Sequence, residues 1–223
     1  MNRKVGEDYL GSNLKPAMEF CIAAGITPPA AVAMALGASA FYLENRISPV
    51  LIQERLGQAM EPIQVVKLRT FPFEHDQADR SSGDDDPRAT RVGKLLRTAK
   101  IDDLAMLWSF FKGDVALVGP RPVVPSEVEA TYEVLSQSER TDWMRARTIA
   151  KAGSVSSFNQ PSRQLDPTSD AYLCARAEAD IEYVFEKASA SVDLAILADA
   201  VGGAAGRLTG LRVSGDNNPA GKL

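Results

Sequence analysis

The longest apolar stretch of the chain lies close to the N-terminus. Residues 17–43 carry a single charged side chain, Glu19, among apolar and small polar residues. At a rise of about 1.5 Å per residue, one continuous helix of this length is long enough to cross a bilayer. Pro28 and Pro29 remove two backbone donors and clash with the preceding turn. The pattern therefore predicts two short helices joined by a bend, either a re-entrant hairpin in one leaflet or a buried hairpin of a soluble protein.

Short apolar runs after this stretch predict a small sheet. Residues 50–53 and 63–68 have strand-like composition, and Gly57 and Pro62 lie between them, so the two runs predict a β-hairpin. Residues 74–86 contain turn-forming and acidic residues without an apolar period, which predicts a loop.

Helical periodicity accounts for most of the remaining chain. Residues 90–98 predict a short basic helix, and residues 102–111 predict a helix with one apolar face. That face consists of Leu104, Leu107, Trp108 and Phe111. The pattern Ser-x-x-Glu at residues 126–129 predicts a helix that begins with a capping box. Residues 168–188 and 191–201 predict two further amphipathic helices. The candidates for the inner face of the first are Tyr172, Ala175, Ala179, Tyr183 and Val184.

These elements predict an α+β fold that is mainly helical, with a re-entrant helix-break-helix membrane hairpin and a small globular domain containing a minor β-hairpin. In this interpretation residues 1–14 form a polar lead and residues 15–46 form the membrane hairpin. Residues 47–200 form the globular domain, and residues 201–223 form a loose tail rich in Gly, Asn and Pro.

Composition narrows the class of protein. The chain has 223 residues and is 45% hydrophobic, which fits one globular domain with a small appendage. Its formal net charge of -4 argues against nucleic acid as a partner. Cys21 and Cys174 have no metal or redox spacing, so we expect reduced thiols in a cytosol-facing protein. The single histidine argues against histidine triads and multi-histidine metal sites. No cleavable signal peptide is evident.

Two adjacent carboxylates, Asp102 and Asp103, directly follow a basic run. Acids in a first helical turn are favoured by the helix dipole without any function, and a basic run is commonly a solvated face. The run can also bind a diphosphate or anionic lipid head groups. In that case we expect its cations to lower the pKa of an adjacent aspartate and keep it ionised, with a divalent metal assisting. The run consists of Arg88, Arg91, Lys94, Arg97 and Lys100.

Two further basic segments are candidates for phosphate contacts. In Gly-Pro-Arg-Pro at residues 119–122 both prolines fix φ, so Arg121 lies on a stiff loop suited to bidentate phosphate recognition. The alternative is a rigid turn with an exposed arginine. Lys67 and Arg69 end the second strand-like run and serve either as phosphate contacts or as strand-end cations that face water.

Taken together, these segments resemble the bacterial sugar transferases, the monotopic phosphoglycosyl transferases. The resemblance runs from about residue 15 to residue 197 and is most specific over residues 86–122. The family's re-entrant membrane helix resembles residues 15–43, with Lys15 and Glu19 near its basic and acidic entry residues. The other matching segments are Gln-Glu-Arg-Leu-Gly at 53–57, Lys-Leu-Arg-Thr-Phe at 67–71, Lys-Gly-Asp at 112–114 and Gly-Pro-Arg-Pro at 119–122.

The resemblance implies an enzyme that transfers a phosphosugar from a UDP-sugar to undecaprenyl phosphate. It implies that Asp102 attacks the β-phosphate and expels UMP, leaving a covalent phosphosugar-aspartate, and that Mg²⁺ is held by Asp102 and Asp103. It further implies a monotopic protein in membrane lipid on the cytoplasmic face of a bacterial membrane, at the first step of polysaccharide or glycoconjugate assembly. Whether the chain forms a homo-oligomer stays open. The phosphate- or nucleotide-binding candidates are Lys67, Arg69, Arg88, Arg91, Arg121, Lys151 and Arg163.

Several positions depart from the family pattern. Asp103 stands in place of a glutamate and is one methylene shorter, while Met106 and Ser109 replace two amide side chains. Residues 151–156 read Lys-Ala-Gly-Ser-Val-Ser instead of Lys-Pro-Gly-Ile-Thr-Gly. These departures favour an alternative, a non-catalytic homologue that acts as a membrane-bound partner or scaffold. A third possibility is a soluble nucleotide-sugar hydrolase.

Overall fold

The computed structural model describes residues 5–72, 87–156, 158, 165–166 and 169–209. The helices are α1 (Val5–Leu10), α2 (Leu14–Asn45), α3 (Arg91–Thr98), α4 (Ile101–Leu104), α5 (Met106–Phe111), α6 (Pro125–Val134), α7 (Gln137–Ile149), α8 (Asp170–Glu182) and α9 (Ala190–Thr209). The strands are β1 (Val50–Leu56), β2 (Pro62–Leu68), β3 (Ala116–Gly119) and β4 (Gly153–Ser156). The predicted loop at 74–86 and Arg163 lie outside the described residues.

Helix α2 is one continuous helix, so the predicted division into two short helices at the prolines is wrong. Pro28 and Pro29 lie inside it, and their missing amides leave the carbonyl groups of Ala24 and Gly25 without intrahelical donors. The hydroxyl of Thr27 donates to the carbonyl oxygen of Ala23 at 2.6 Å in the same turn. Packing of one face of α2 on the globular part, added to the high helix propensity of its alanine-rich flanks, keeps the helix continuous through the prolines.

The buried residues of α2 lie on one narrow stripe. Their spacing of four or seven residues keeps them on a single face, which packs on the globular part along the length of the helix. The stripe consists of Lys15, Glu19, Ala23, Ala30, Gly37 and Phe41. By length and composition α2 is apolar enough to cross a membrane. Outside the stripe the helix exposes large apolar side chains such as Phe20, Val32 and Leu36, and a helix that is apolar all round requires a second apolar environment.

The predicted β-hairpin is confirmed. Strands β1 and β2 pair antiparallel, with Val50 opposite Leu68 and Leu56 opposite Pro62. A second sheet, the parallel pair β3 and β4, was not predicted. Its strands approach so closely that a Cβ on Gly119 or Gly153 would collide with the backbone of the other strand. Parallel strands come from distant parts of the chain and lack a local turn signal, which is why the sequence does not reveal this pair.

The helix predicted at 102–111 is interrupted at Ala105, so that α4 and α5 are separate short helices. The predicted apolar face is also not the buried one. Trp108 and Phe111, which belong to the predicted face, are exposed, whereas Met106, Leu107 and Ser109 are buried. The predicted capping box at Ser126 is absent, since Pro125 occupies the first turn of α6. A capping box is present instead at Ser136 and Glu139, which begin α7.

The two predicted C-terminal helices are present, but they begin and end at different residues from those predicted. Helix α8 begins after Ser169, whose hydroxyl accepts from the amide of Tyr172, and one π-helical turn, Tyr183–Lys187, continues it. Tyr172, Tyr183 and Val184 are buried as predicted. Helix α9 runs through residues 202–209, so the predicted tail begins too early at 201, and the polar lead at 1–14 contains α1. Residues 210–223 lie outside the described residues.

Candidate active site

The two candidate carboxylates lie in α4, which follows α3 after a sharp turn. Lys100 has a left-handed φ of 57°, so the chain reverses between the two helices and places Asp102 and Asp103 in the first turn of α4. Helix α3 is itself fixed on the end of β2. Gly93 lies so close to the backbone of Thr70 that a Cβ would collide with its carbonyl oxygen. The basic helix, the strand end and the carboxylates therefore form one cluster.

Asp102 is buried, with 8% of its surface exposed, and its Oδ1 has no hydrogen-bond partner among the described residues. Burial and the adjacent charge of Asp103 raise the pKa of Asp102 to about 7, against the opposing effect of Lys67, Lys100 and Arg97. The neighbouring cations do lower the pKa of Asp102, as expected, but they do not hold it below its ordinary value. The free energy of removing the carboxylate from water exceeds the attraction of the cations.

Asp103 behaves in the opposite way. Its Oδ1 accepts a 2.6 Å hydrogen bond from Nζ of Lys67. Burial opposes its ionisation, but Lys67, Lys100 and Arg121 outweigh burial and lower its pKa well below the ordinary range. The pair thus combines one permanently ionised carboxylate, neutralised by a lysine, with one carboxyl group that titrates near neutral pH.

Ser109 connects α5 to the strand that carries Lys67. Its hydroxyl donates to the carbonyl oxygen of Gln64 at 3.1 Å and accepts from the amide of Val66 at 3.3 Å. The side chain is fully buried. Ser109 departs from the family pattern, and its two hydrogen bonds fix β2 next to the carboxylates.

The backbone of the loop that carries Arg121 is held by hydrogen bonds from β4 and α7. The carbonyl oxygen of Pro120 accepts from the amide of Gly153 at 2.8 Å, and that of Arg121 accepts from Nη1 of Arg147 at 2.7 Å. Nη2 of Arg147 also donates to the carbonyl oxygen of Leu56 at 3.2 Å. The charge of Arg121 helps to lower the pKa of both Asp103 and Glu127, so its guanidinium lies within electrostatic range of both carboxylates. The stiffness predicted from the two prolines is thus reinforced by tertiary hydrogen bonds.

Sequence reasoning did not find Arg147, which is buried in α7 next to Asp180 of α8. Its Nη1 lies 3.3 Å from Oδ2 of Asp180, and the indole Nε1 of Trp143 donates to the same oxygen at 3.1 Å. A buried arginine looks in the sequence like any solvated helical arginine. The available signal is that Trp143 and Arg147 lie four residues apart, and so on one face of the helix.

The other candidate residues lie in different environments. Arg69 is buried, and its Nε donates to the carbonyl oxygen of Ser48 at 2.8 Å. The guanidinium of Arg88 lies over the ring of Phe71. Arg91 is exposed on α3. Nζ of Lys151 donates to the carbonyl oxygen of Gly113 at 3.0 Å. Lys67 and Arg121 are therefore the phosphate candidates that the structure brings to the carboxylates, and the predicted basic run adds Arg97 and Lys100.

The carboxylate pair suits a metal that is shared with a substrate. Within the described part of the chain, no three His, Cys, Asp or Glu side chains form a self-contained metal site. Mg²⁺ commonly binds through one or two protein carboxylates and completes its coordination with substrate phosphates and water. Asp102, whose buried Oδ1 has no hydrogen-bond partner in the described structure, and its neighbour Asp103 fit that arrangement.

Comparison with known proteins agrees with the resemblance seen in the sequence. The family model described as bacterial sugar transferase matches residues 10–206 of this chain. The match includes α2, the carboxylate pair, the Arg121 loop and most of α9. The chain belongs to the bacterial sugar transferase family.

Several curated proteins are similar to the chain. A UDP-glucose:undecaprenyl-phosphate glucose-1-phosphate transferase from Caulobacter vibrioides is 33% identical over 173 residues, which are 76% of this chain and 62% of the relative. An undecaprenyl-phosphate glucose phosphotransferase from Komagataeibacter xylinus is 30% identical over 153 residues, 68% of this chain and 28% of the relative. A UDP-N-acetylgalactosamine-undecaprenyl-phosphate N-acetylgalactosaminephosphotransferase from Aeromonas hydrophila is 31% identical over 125 residues, 52% of this chain and 30% of the relative. The chain spans less than two thirds of each of these relatives.

The family and helix α2 together indicate association with a membrane. The stripe that α2 buries against the globular part is a small share of its apolar surface. Only 17% of the most apolar 18-residue segment of the helix is buried. Lipid is the environment that covers such a surface without further protein. The re-entrant geometry predicted from the prolines is not confirmed.

Proposed function

We propose that the chain transfers a phosphosugar from a UDP-sugar to undecaprenyl phosphate through a covalent intermediate on Asp102. The observation that carries the proposal is the asymmetric carboxylate pair. Asp103 is neutralised by Lys67 at 2.6 Å, whereas Asp102 has a buried oxygen without a hydrogen-bond partner among the described residues. A nucleophile needs such an uncommitted lone pair, and surrounding cations reduce its repulsion from an incoming phosphate.

In the first step, the ionised carboxylate of Asp102 donates an electron pair to the β-phosphorus of the UDP-sugar. The bond between that phosphorus and the bridging oxygen breaks, and the bridging oxygen leaves with its electron pair on UMP. Arg121, held by two backbone hydrogen bonds of its loop, binds the diphosphate oxygens. The buried position of Asp102 keeps water away from the resulting acyl phosphate.

In the second step, a phosphate oxygen of undecaprenyl phosphate attacks the phosphorus of the intermediate. A new phosphoanhydride bond forms, the bond to Oδ of Asp102 breaks, and the carboxylate is regenerated with its electron pair. Splitting the transfer in two lets the donor and acceptor use the site in turn. Lys67 and Lys100 lie near enough to affect the pKa of both carboxylates, and they offset the negative charge of the reacting phosphates.

A Mg²⁺ ion would be held by Asp102 and Asp103 together with the substrate diphosphate. When bound, it supplies charge neutralisation on the phosphate oxygens. In this proposal the chain is monotopic on the cytoplasmic face of the membrane, where both the nucleotide sugar and the lipid acceptor are accessible. The chain would begin the assembly of a polysaccharide or glycoconjugate on its lipid carrier.

The deciding experiment compares Asp102→Asn with a matched aspartate elsewhere. Purified full-length chain is incubated with Mg²⁺ and a panel of UDP-sugars labelled in the β-phosphate, with and without undecaprenyl phosphate, and both UMP release and protein-bound label are measured. We expect Asp102→Asn to lose both signals. Asp142→Asn, which alters an exposed aspartate on α7, should keep both. Full activity in Asp102→Asn would refute the assignment, and UMP release by wild type without transfer to lipid would indicate a hydrolase.

A non-catalytic scaffold is the second candidate, and one observation favours it. Asp103 already forms a 2.6 Å ion pair with Lys67, and it is shorter than the glutamate of the family pattern. Reverting Asp103 to Glu distinguishes the two hypotheses. A sharp rise in UMP release identifies a weakened but working site, whereas no release by either form with any UDP-sugar favours the scaffold.

A further inference from the structure

The outward face of α5 is aromatic. Trp108 is 67% exposed and Phe111 is 47% exposed, while Met106 and Leu107 of the same helix are buried. Residues three apart in a helix lie side by side, so the two rings form one patch. We call Trp108 and Phe111 the aromatic patch. A soluble surface rarely presents a large indole and a phenyl ring together, and such a patch marks a binding surface.

The aromatic patch continues the exposed apolar surface of α2. The ring of Phe111 contacts the ring of Phe20 edge to face, with the ring centroids 6.1 Å apart. Phe20 is itself exposed and flanks the buried stripe of α2. The exposed apolar surfaces of the two helices therefore meet at this ring contact.

The charge at the edge of the aromatic patch suits a lipid boundary. Lys112 directly follows α5 and is half-exposed, and its Nζ forms a 3.1 Å ion pair with Oδ2 of Asp114 at the edge of the aromatic patch. Tryptophan and lysine side by side are typical of the membrane–water interface, where the indole enters the head-group layer and the ammonium stays in water.

We propose that the aromatic patch rests on the lipid surface and sets the height of the carboxylate pair above it. The proposal rests on the membrane association of the proposed function. Ala105 alone separates α5 from α4, so a lipid contact at Trp108 fixes the position of Asp102 relative to the membrane. Undecaprenyl phosphate is held in the bilayer by its chain, and its phosphate reaches only a limited height. Trp108 is thus a positioning residue for the acceptor.

The chain offers a built-in optical test, because its two tryptophans lie in opposite environments. Trp108 is 67% exposed, and Trp143 is fully buried at 0%. Full-length chain is reconstituted in phosphatidylcholine–phosphatidylglycerol vesicles whose acyl chains carry bromine at a shallow or a deep position. We expect shallow bromine to quench the wild-type emission more than deep bromine, and aqueous iodide to quench it weakly. Trp108→Phe, which leaves only Trp143, should lose the bromine-sensitive emission.

Two results would overturn the lipid contact. One is strong quenching of Trp108 by iodide in these vesicles without quenching by brominated lipid, which places the indole in water. The other is protection from both quenchers together with a cross-linked dimer, which means that a second copy of the chain covers the aromatic patch. The readout does not require activity, so its failure leaves the proposed reaction standing, and an inactive chain still tests the lipid contact.

A kinetic split tests the positioning role. We expect Trp108→Glu to lower transfer to undecaprenyl phosphate in vesicles by roughly tenfold to 100-fold, since an error of about 1 Å in placement has effects of that size. Label transfer from the UDP-sugar to Asp102 should stay within about twofold of wild type, and Trp108→Tyr should restore transfer to lipid. Unchanged transfer to lipid in Trp108→Glu, or equal loss of both steps in Trp108→Tyr, would overturn the positioning role.

Discussion

The guanidinium of Arg147 donates a 2.7 Å hydrogen bond to the main-chain carbonyl oxygen of Arg121. One arginine therefore orients another whose side chain is a candidate for binding phosphate. Arg147 is 1% exposed and its charge is balanced by Asp180, so the contact is shielded from solvent. Buried charge pairs contribute little net stability but define geometry when all partners are in place.

Replacing Arg147 by Lys tests this orientation. Lysine keeps the charge but cannot reach the carbonyl oxygens of Arg121 and Leu56 together, because it lacks the planar fork. We expect kcat/KM for the UDP-sugar to fall roughly 10-fold to 100-fold, mainly through a higher KM. Arg145→Lys is the control, since Arg145 lies on the same helix and forms a half-exposed pair with Glu7 at 2.7 Å. Equal losses in both variants would contradict the role of Arg147.

Asp102 stabilises the fold when it is protonated. Burial raises its pKa from the ordinary value of 3.8 to about 7 in the folded state. Its contribution is therefore complete below about pH 4 and is lost as the pH rises through 7. We expect Asp102→Asn to raise the free energy of unfolding at pH 8 by on the order of 2 to 4 kcal/mol, since one pKa unit corresponds to about 1.4 kcal/mol. The difference from wild type should shrink as the pH falls to 4. Urea titrations at pH 4, 6 and 8 measure it, and a constant difference would contradict the assignment.

The rate of the first step should rise with pH. The attacking carboxylate of Asp102 forms as the pH increases through about 7, so kcat/KM for the UDP-sugar follows that ionisation. Lys100→Met removes one cation that lowers this pKa, and the midpoint should move to higher pH. Lys94→Met, an exposed lysine on α3, should leave the midpoint unchanged. A midpoint that does not move in Lys100→Met would indicate that another group controls the profile.

Lys15 bridges two buried carboxylates where α2 meets the globular part. Its Nζ lies 2.8 Å from Oε1 of Glu19 and 2.6 Å from Oδ2 of Asp193, and it donates to the carbonyl oxygen of Val118 at 3.0 Å. Because removing one member of such a cluster leaves uncompensated charge, Lys15→Met should lower the stability by about 3–5 kcal/mol.

The control for Lys15 is a lysine on the surface. Lys187→Met breaks an exposed pair with Glu182 at 2.7 Å and should change stability by less than about 1 kcal/mol. Adding Asp193→Asn to Lys15→Met should recover part of the loss, because it removes one unpaired carboxylate. Thermal unfolding in detergent measures all four proteins. A double variant less stable than Lys15→Met alone would show that Asp193 contributes through its bonds to Tyr9 and Tyr183 instead.

Secondary-structure elements were predictable from the sequence where neighbouring residues alone determine them. The hairpin β1–β2 and the short basic helix α3 follow from short-range composition. The continuity of α2 through Pro28 and Pro29 did not follow, because the prolines argue for a break and packing of the buried stripe along the helix overrides them. The exposure of Trp108 was likewise unpredictable, since periodicity identifies an apolar face but not what covers it.

The amino-acid sequence by itself determined the family, the helical character of the chain and the adjacency of Asp102 and Asp103 to a basic run, because each depends on neighbours along the chain. Only the tertiary structure decided how the two carboxylates differ. Lys67 comes from a strand more than thirty residues earlier and pairs with Asp103, while the surrounding core removes Asp102 from water. Identical side chains acquire opposite pKa shifts because ionisation depends on burial and on charges that folding brings close. Neither the burial nor the nearby charges can be deduced from the residues adjacent in sequence.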